Sequence, residues 1–226
     1  MFKKLIIGFS GHIGSGKNYI AEHIFVPCLI DGFRRNEKTK DKIILPYYFS
    51  FGDTVKIECL SRIPYNNLSS NDGFHEFFIE KSQSTRSLLQ KYGTENGRNV
   101  YHEDIWIRSI DTLISIQLER LKKFDHNYLP VFIISDVRFI NEYKYIESNN
   151  GIIIRIDAPN RSLQRILKES NNDPEIIKQI KSHKSETELD HYQFKYLIDN
   201  DDINDINDIN LNNKIKDIIN LAFINI

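Results

Sequence analysis

The chain has 226 residues, 40 % of them hydrophobic and 12 % aromatic, enough to fill a sizeable core and to exclude wholesale disorder. Its 30 Lys and Arg stand against 31 Asp and Glu, so no global positive field draws it to a nucleic acid polymer, and any anion must be bound locally. Only Cys28 and Cys59 occur, outside any Cys/His cluster, which excludes a disulfide framework and a zinc-ligand spacing and fits a reducing, cytoplasmic setting.

Leu5-Ile6-Ile7-Gly8-Phe9, an apolar run ending at Ser10-Gly11, predicts a buried strand followed by a tight loop. The spacing of Ile20, Ala21, Ile24 and Phe25 predicts a helix after Lys17 that ends near Pro27 or shortly after it. Residues 31–42 read as a polar surface insertion and Tyr47 to Phe51 as a second strand. Asp53 or Thr54 then offers an N-cap for a helix carrying Val55, Ile57, Cys59 and Leu60. Residues 62–83 show no single period. Helices are predicted over 84–92 and 104–124, and a buried strand at Val131 to Ile134 runs into Ser135-Asp136. A helix with Phe139, Ile140, Tyr143 and Ile146 follows, stopping in a left-handed ending at Asn149-Asn150-Gly151.

Ile152 to Ile156 is the next strand, and residues 160–190 read as charged helices interrupted or restarted at Asp173-Pro174. Tyr196 to Ile198 forms the last strand. Asp202 to Asn210 repeats Ile-Asn-Asp, too polar to pack a core, before a closing helix at Ile215 to Phe223. Strands alternating with helices predict an α/β fold, a mainly parallel five-stranded sheet with helices on both faces. No apolar run approaches the roughly 18–20 residues of a membrane span, and the first eight residues do not read as a signal peptide.

The chemistry concentrates after the first strand. Gly11-His12-Ile13-Gly14-Ser15-Gly16-Lys17 fits G-x-x-x-x-G-K between a buried strand and a helix start. There glycines let successive N–H groups face inward, the helix dipole adds partial positive charge, and Lys17 can neutralise β- and γ-phosphate oxygens. Asn18 stands where a Ser or Thr hydroxyl normally meets Mg²⁺, so its amide oxygen or a water would serve instead. Asp136, ending the Val131 strand, is the better metal carboxylate, and N-capping of the next helix is its structural alternative. Arg138 can orient a transferred phosphoryl group and offset its charge, the alternative being a salt bridge to Glu142. No Ser-His-Asp or Cys-His arrangement is evident, so an in-line phosphoryl transfer by electrostatic positioning is expected.

The ordered blocks GHIGSGKN, FGDTVK, TRSLLQKYGTENGR with HEDIWIR, ISDVRFINE, SHKSE and LIDND resemble the deoxynucleoside monophosphate kinases of bacteriophages and related viruses. The resemblance implies a P-loop kinase domain over 1–226, with a core (1–61, 125–159 and 191–226), an acceptor-binding helical region (62–124) and a lid (160–190). It implies transfer of the ATP γ-phosphoryl group, with Mg²⁺, to a deoxynucleoside monophosphate (dNMP). Gly11 to Asn18 would hold ATP, with Arg161 and Arg165 as lid cations beside the Lys181 to Glu186 region and Asn200 near adenine.

By the same likeness, Asp53, Lys56, Arg86, Gln90, Gly93, Thr94, Arg98 and Trp106 would line the acceptor site, Trp106 either stacking on a base or packing in the core. Ser185-Glu186-Thr187-Glu188 also fits a capping box. Partners are then small molecules, with no membrane and with a homodimer left open. Two rivals stand: a P-loop kinase for another small phosphate acceptor, as in animal-type phosphomevalonate kinases, and a non-catalytic protein switched by nucleotide. Only three alanines (Ala21, Ala158, Ala222) beside abundant Ile, Asn and Lys suit an A/T-rich viral or phage genome.

Overall fold

The computed structural model describes residues 3–62, 73–79, 81–124, 127–201 and 209–223. The chain divides into two compact units, Met1–Tyr48 with Ile116–Ile226, and Phe49–Ser115. Part of the pattern-free stretch at 62–83 and most of the Ile-Asn-Asp repeat lie outside the described residues.

The first unit is built on a five-stranded, all-parallel sheet in the order β2-β3-β1-β4-β5. Its strands are β1 (Leu5–Ser10), β2 (Ile43–Phe49), β3 (Tyr128–Val137), β4 (Ile152–Asp157) and β5 (Tyr196–Asp199). All six residues of β1 are buried, as a strand covered on both faces requires. Leu5, Ile7 and Phe9 join a core with Ile20, Ile24, Phe25 and Leu29 from the first helix and Ile215, Ile218 and Ile219 from the last. Phe9 and Phe25 meet edge-on at 5.3 Å. Gly8 points the other way, where a Cβ would lie 2.6 Å from Ile146 Cδ1, so a glycine is what lets the helix Ile140–Ser148 approach β1. β1 lies between β3 and β4, so the chain crosses the sheet in opposite senses on either side of it. The crevice at the carboxyl end of such a strand is where open α/β sheets bind ligands.

Several boundaries differ from the sequence reading. The first helix does not stop near Pro27: it passes from Lys17–Tyr19 through a π-helical segment, Ile20–Phe25, into Val26–Arg35. Pro27 falls in the first turn after the change of register, where its missing N–H costs least. Residues 31–35 of the expected insertion at 31–42 are therefore helix. The helix Ile140–Ser148 ends as expected, with Asn150 in the left-handed region at φ 55°. Asp173 caps Pro174–Ser182 by accepting from the N–H groups of Glu175 and Ile176. The closing helix starts earlier, at Ile209, and runs to Phe223.

In the second unit the helix Phe51–Ser61 is N-capped by Ser50, not by Asp53 or Thr54. The helix Gln83–Lys91 continues as a π-helical segment, Tyr92–Arg98, beyond the helix expected over 84–92. A further helix, Ile105–Leu121, runs across the boundary between the units in sequence. No helix of the described residues is long and apolar enough to cross a membrane.

Candidate active site

The loop after β1 is a turn that side chains would break. Gly14 and Gly16 take φ +76° and +85°, and a Cβ on Gly16 would sit 2.5 Å from Asn200 Nδ2. Asn200 follows β5, is buried, and donates from Nδ2 to the Ser15 carbonyl at 2.7 Å, so it props the loop from beneath. Gly14 lies against the helix Pro159–Glu169, where its Cβ would meet Arg165 Cβ at 2.6 Å. Gly16→Ala should therefore lower stability by about 1–3 kcal/mol, through left-handed strain and displacement of Asn200, read as a shift in the urea midpoint. A shift below about 0.5 kcal/mol would contradict this packing.

Lys17 opens the helix and turns back into the loop, its Nζ donating to the carbonyls of Gly11 and His12, both at 2.8 Å. Burial, with the nearby Arg138 and Arg155 guanidinium groups against the smaller pull of Glu186 and Asp136, brings its pKa from 10.5 to about 7. Ser15 Oγ is buried and has no hydrogen-bond partner. The loop thus holds a cation close to losing its proton and a polar atom awaiting a partner, as an anion cradle would.

Two elements bring charge to this loop. At the end of β3, Asp136 stands close enough to act on both Lys17 and Arg138. Phe139, not Asp136, is the N-cap of the next helix. Glu142 is buried and accepts from the backbone N–H groups of Arg138 (2.7 Å) and Phe139 (3.1 Å), fixing the turn that presents Arg138. The Arg138 guanidinium reaches instead to Glu186 Oε1. Glu186 Oε2 accepts from the Ile13 N–H at 2.8 Å, placing a carboxylate at the lip of the loop. Burial alone would raise the Glu186 pKa, but Arg138, His12, the Ile13 N–H and Lys17 outweigh it and hold it at about 2.

Beside them Arg155 of β4 donates to Ser10 Oγ (3.3 Å). Its Nη2 lies 2.9 Å from His12 Nε2 and 3.2 Å from Asp190 Oδ1. Arg161 Nη1 reaches the Asn200 carbonyl at 3.4 Å and Arg165 pairs with Glu169. Lys181 is exposed. The short helix Lys184–Thr187 is capped by His183, whose Nδ1 accepts from the Ser185 N–H, so the Ser185 capping box does not form.

Asn18 is exposed at the helix start. Among the described residues no group of three or more His, Cys, Asp or Glu assembles as a metal cage. Asp136 and the Asn18 amide are hard oxygen donors of the kind Mg²⁺ accepts alongside phosphate oxygens, so the residues present fit a phosphate-borne ion rather than a protein-caged one.

The other sequence-predicted residues lie in the second unit. Lys56 pairs with Asp53 and sits 4.9 Å over the Phe78 ring. Arg86 opens its helix with an N–H bond to the Ser82 carbonyl, and Gln90 is half-buried one turn on. A Cβ on Gly93 would lie 3.5 Å from Val55 Cγ1, and the Thr94 carbonyl accepts from the Asn99 N–H. Arg98 Nη1 donates to the Glu103 carbonyl at 2.8 Å. Of the two roles open to Trp106 the structure shows packing: it is 2 % exposed, lies against Gly97 and donates from Nε1 to the Gly93 carbonyl.

Sequence reasoning missed Arg155 and Asp190, the backbone-holding role of Glu142 and the carboxylate role of Glu186. Arg155 alone left a local signal, a charge inside the apolar run Ile152 to Ile156.

The sheet order and the loop together make this a P-loop α/β fold. Over 91 residues the chain is 36 % identical to the deoxynucleoside-5'-monophosphate kinase of Escherichia phage T5, across 39 % of this chain and 31 % of that protein. Over that stretch the chain is similar to a phage deoxynucleoside monophosphate kinase. The match spans less than a third of that relative's length. No protein-family model matches the sequence. Among solved structures, dephospho-CoA kinase from Campylobacter jejuni aligns over 97 % of both chains at 13 % identity and TM-score 0.42. Shikimate kinase from Acinetobacter baumannii, in complex with shikimate, aligns over 98 % of this chain and 94 % of its own at 12 % identity and TM-score 0.36.

Proposed function

We propose that the protein is a kinase that moves the γ-phosphoryl group of ATP to a deoxynucleoside monophosphate, giving ADP and the diphosphate. The observation that carries this reading is the carboxylate of Glu186, an anion held at the loop by the Ile13 N–H and Arg138 beside Lys17. The phage relative is the reason for choosing a nucleotide as the acceptor.

In this reading Gly11 to Lys17 cradle the donor's polyphosphate, with loop N–H groups on its oxygens and the Lys17 ammonium between β and γ. Mg²⁺, held by phosphate oxygens with Asp136 and the Asn18 amide, supplies charge neutralisation when bound. An oxygen of the acceptor's phosphate forms the new bond to γ-phosphorus as the bond to the β–γ bridging oxygen breaks, and ADP leaves. Arg138 holds the equatorial oxygens during that exchange and Glu142 keeps its backbone in place. Arg161 and Arg165 lie on the helix beside Gly14, where their cations can close over the phosphates, and Asn200 supports the loop below the adenosine side. Asp53, Lys56, Arg86, Gln90, Gly93, Thr94 and Arg98 bind the acceptor, with Trp106 holding the Gly93 segment in shape.

The test is ADP formation from ATP with each of the four dNMPs and, as the rival acceptor, phosphomevalonate. At least one dNMP should give a kcat on the order of 1–100 s⁻¹. No ADP above the ATP-alone rate with any dNMP overturns the reading, and transfer only to phosphomevalonate replaces it with the rival.

A further inference from the structure

Glu186 has a second consequence. Its two oxygens take up the Ile13 N–H and the Arg138 guanidinium, the donors that a terminal phosphoryl group would need at the lip of the loop. The side chain is only 7 % exposed, so this is a seated contact and not a surface pair. The deeper part of the loop stays unclaimed: Lys17 turns to the Gly11 and His12 carbonyls, and Ser15 Oγ has no partner. A carboxylate so placed competes with the last phosphate of a donor and leaves the inner ones alone.

The segment that carries Glu186 is held mainly by acidic side chains. Glu188 Oε1 accepts from the Ile140 N–H at 2.9 Å, and Asp190 Oδ1 lies 3.1 Å from His12 Nε2 and 3.2 Å from Arg155 Nη2. Leu189 adds one buried apolar side chain. Neither Pro174–Ser182 nor Lys184–Thr187 buries a residue. Segments with so little apolar burial open at low cost compared with a core element.

We propose that residues 183–190 form an anionic latch, in which Glu186 stands in for the terminal phosphate of the donor and must be expelled when that phosphate binds. The inference rests on the loop being a polyphosphate cradle. The latch sets a penalty on triphosphates that diphosphates largely escape, because only the outermost group meets Glu186. It also ties donor binding to release of the segment that covers the loop.

Inorganic tripolyphosphate, ATP and ADP are titrated into the wild-type protein and Glu186→Gln, with urea melts to show that both are folded. The glutamine keeps an acceptor for the Ile13 N–H and loses the charge facing Arg138. Tripolyphosphate and ATP should bind the variant on the order of tenfold tighter, with a smaller gain for ADP. Unchanged or weaker tripolyphosphate binding, an equal gain for ADP, or no binding to either protein overturns the latch. Should the variant not fold, amide exchange of the wild-type protein decides. Exchange at residues 183–190 rises on tripolyphosphate binding if the latch opens, and unchanged or slowed exchange overturns it. Tighter binding without ADP formation from any dNMP would leave the latch standing and remove the kinase reading alone.

Discussion

Replacing Arg138 by alanine is expected to cut kcat for phosphoryl transfer by about 10²–10³-fold, with a smaller change in the KM for ATP. The guanidinium is offered at the loop's lip by a turn whose backbone Glu142 holds at 2.7 and 3.1 Å, so the point from which the side chain reaches is set before any ligand arrives. Removing it has a separate structural effect. Arg138 is the chief opponent of the burial that would otherwise raise the Glu186 pKa from about 2. Glu186 then keeps the Ile13 N–H but loses its guanidinium partner, which destabilises by at most about 3–5 kcal/mol unless it swings out to water. The pair Arg138→Ala with Glu186→Gln separates the effects: stability should largely return, while kcat stays low. A single variant that is folded and retains kcat within about threefold of wild type would show that Arg138 does not act on the transferred group.

Lys17→Met should weaken ATP binding by about 10²-fold and lower kcat by at least as much, since it removes a charge-assisted bond to phosphate oxygens in a buried site. Its signature is protonic. With a pKa of about 7 in the free protein, Lys17 is mostly neutral at pH 8, and phosphate oxygens beside Nζ favour the ammonium. ATP binding is therefore expected to take up protons at pH 8, and affinity to rise as pH falls from about 9 toward 7. The same shift acts on folding. A lysine whose pKa is lower in the folded state disfavours folding fully below about pH 7, and this penalty fades as pH rises toward 10.5. Lys17→Met should consequently be no less stable than wild type at pH 7, as a urea melt would show.

What the sequence disclosed and what it withheld follow from distance along the chain. β1, the glycine turn and Lys17 sit within a dozen residues, and their chemistry is local: an apolar run, left-handed positions at Gly14 and Gly16, a cation at a helix start. The contacts that complete the site are not local. Ile13 meets Glu186 across 173 residues and Ser15 meets Asn200 across 185; the SHKSE and LIDND blocks draw attention to both partners, but no local pattern names the backbone group each one meets. Glu186 reads equally well as part of a capping box, because an acidic residue near a helix start satisfies that pattern whatever else it touches. Pro27 misled in the opposite way: proline ends a helix unless a change of register absorbs its missing donor, and the π-segment before it does so. For Trp106 the sequence left packing and stacking level, and the neighbouring glycine at 97 decided for packing by letting the indole in.

The most direct test of the polyphosphate cradle is calorimetric titration of ATP into wild type and Lys17→Met at pH 8, in two buffers of different ionisation enthalpy. The account predicts binding by the wild-type protein with net proton uptake, and both weaker binding and less uptake in the variant. Equal affinities for the two proteins, or wild-type binding with no buffer dependence, would contradict it.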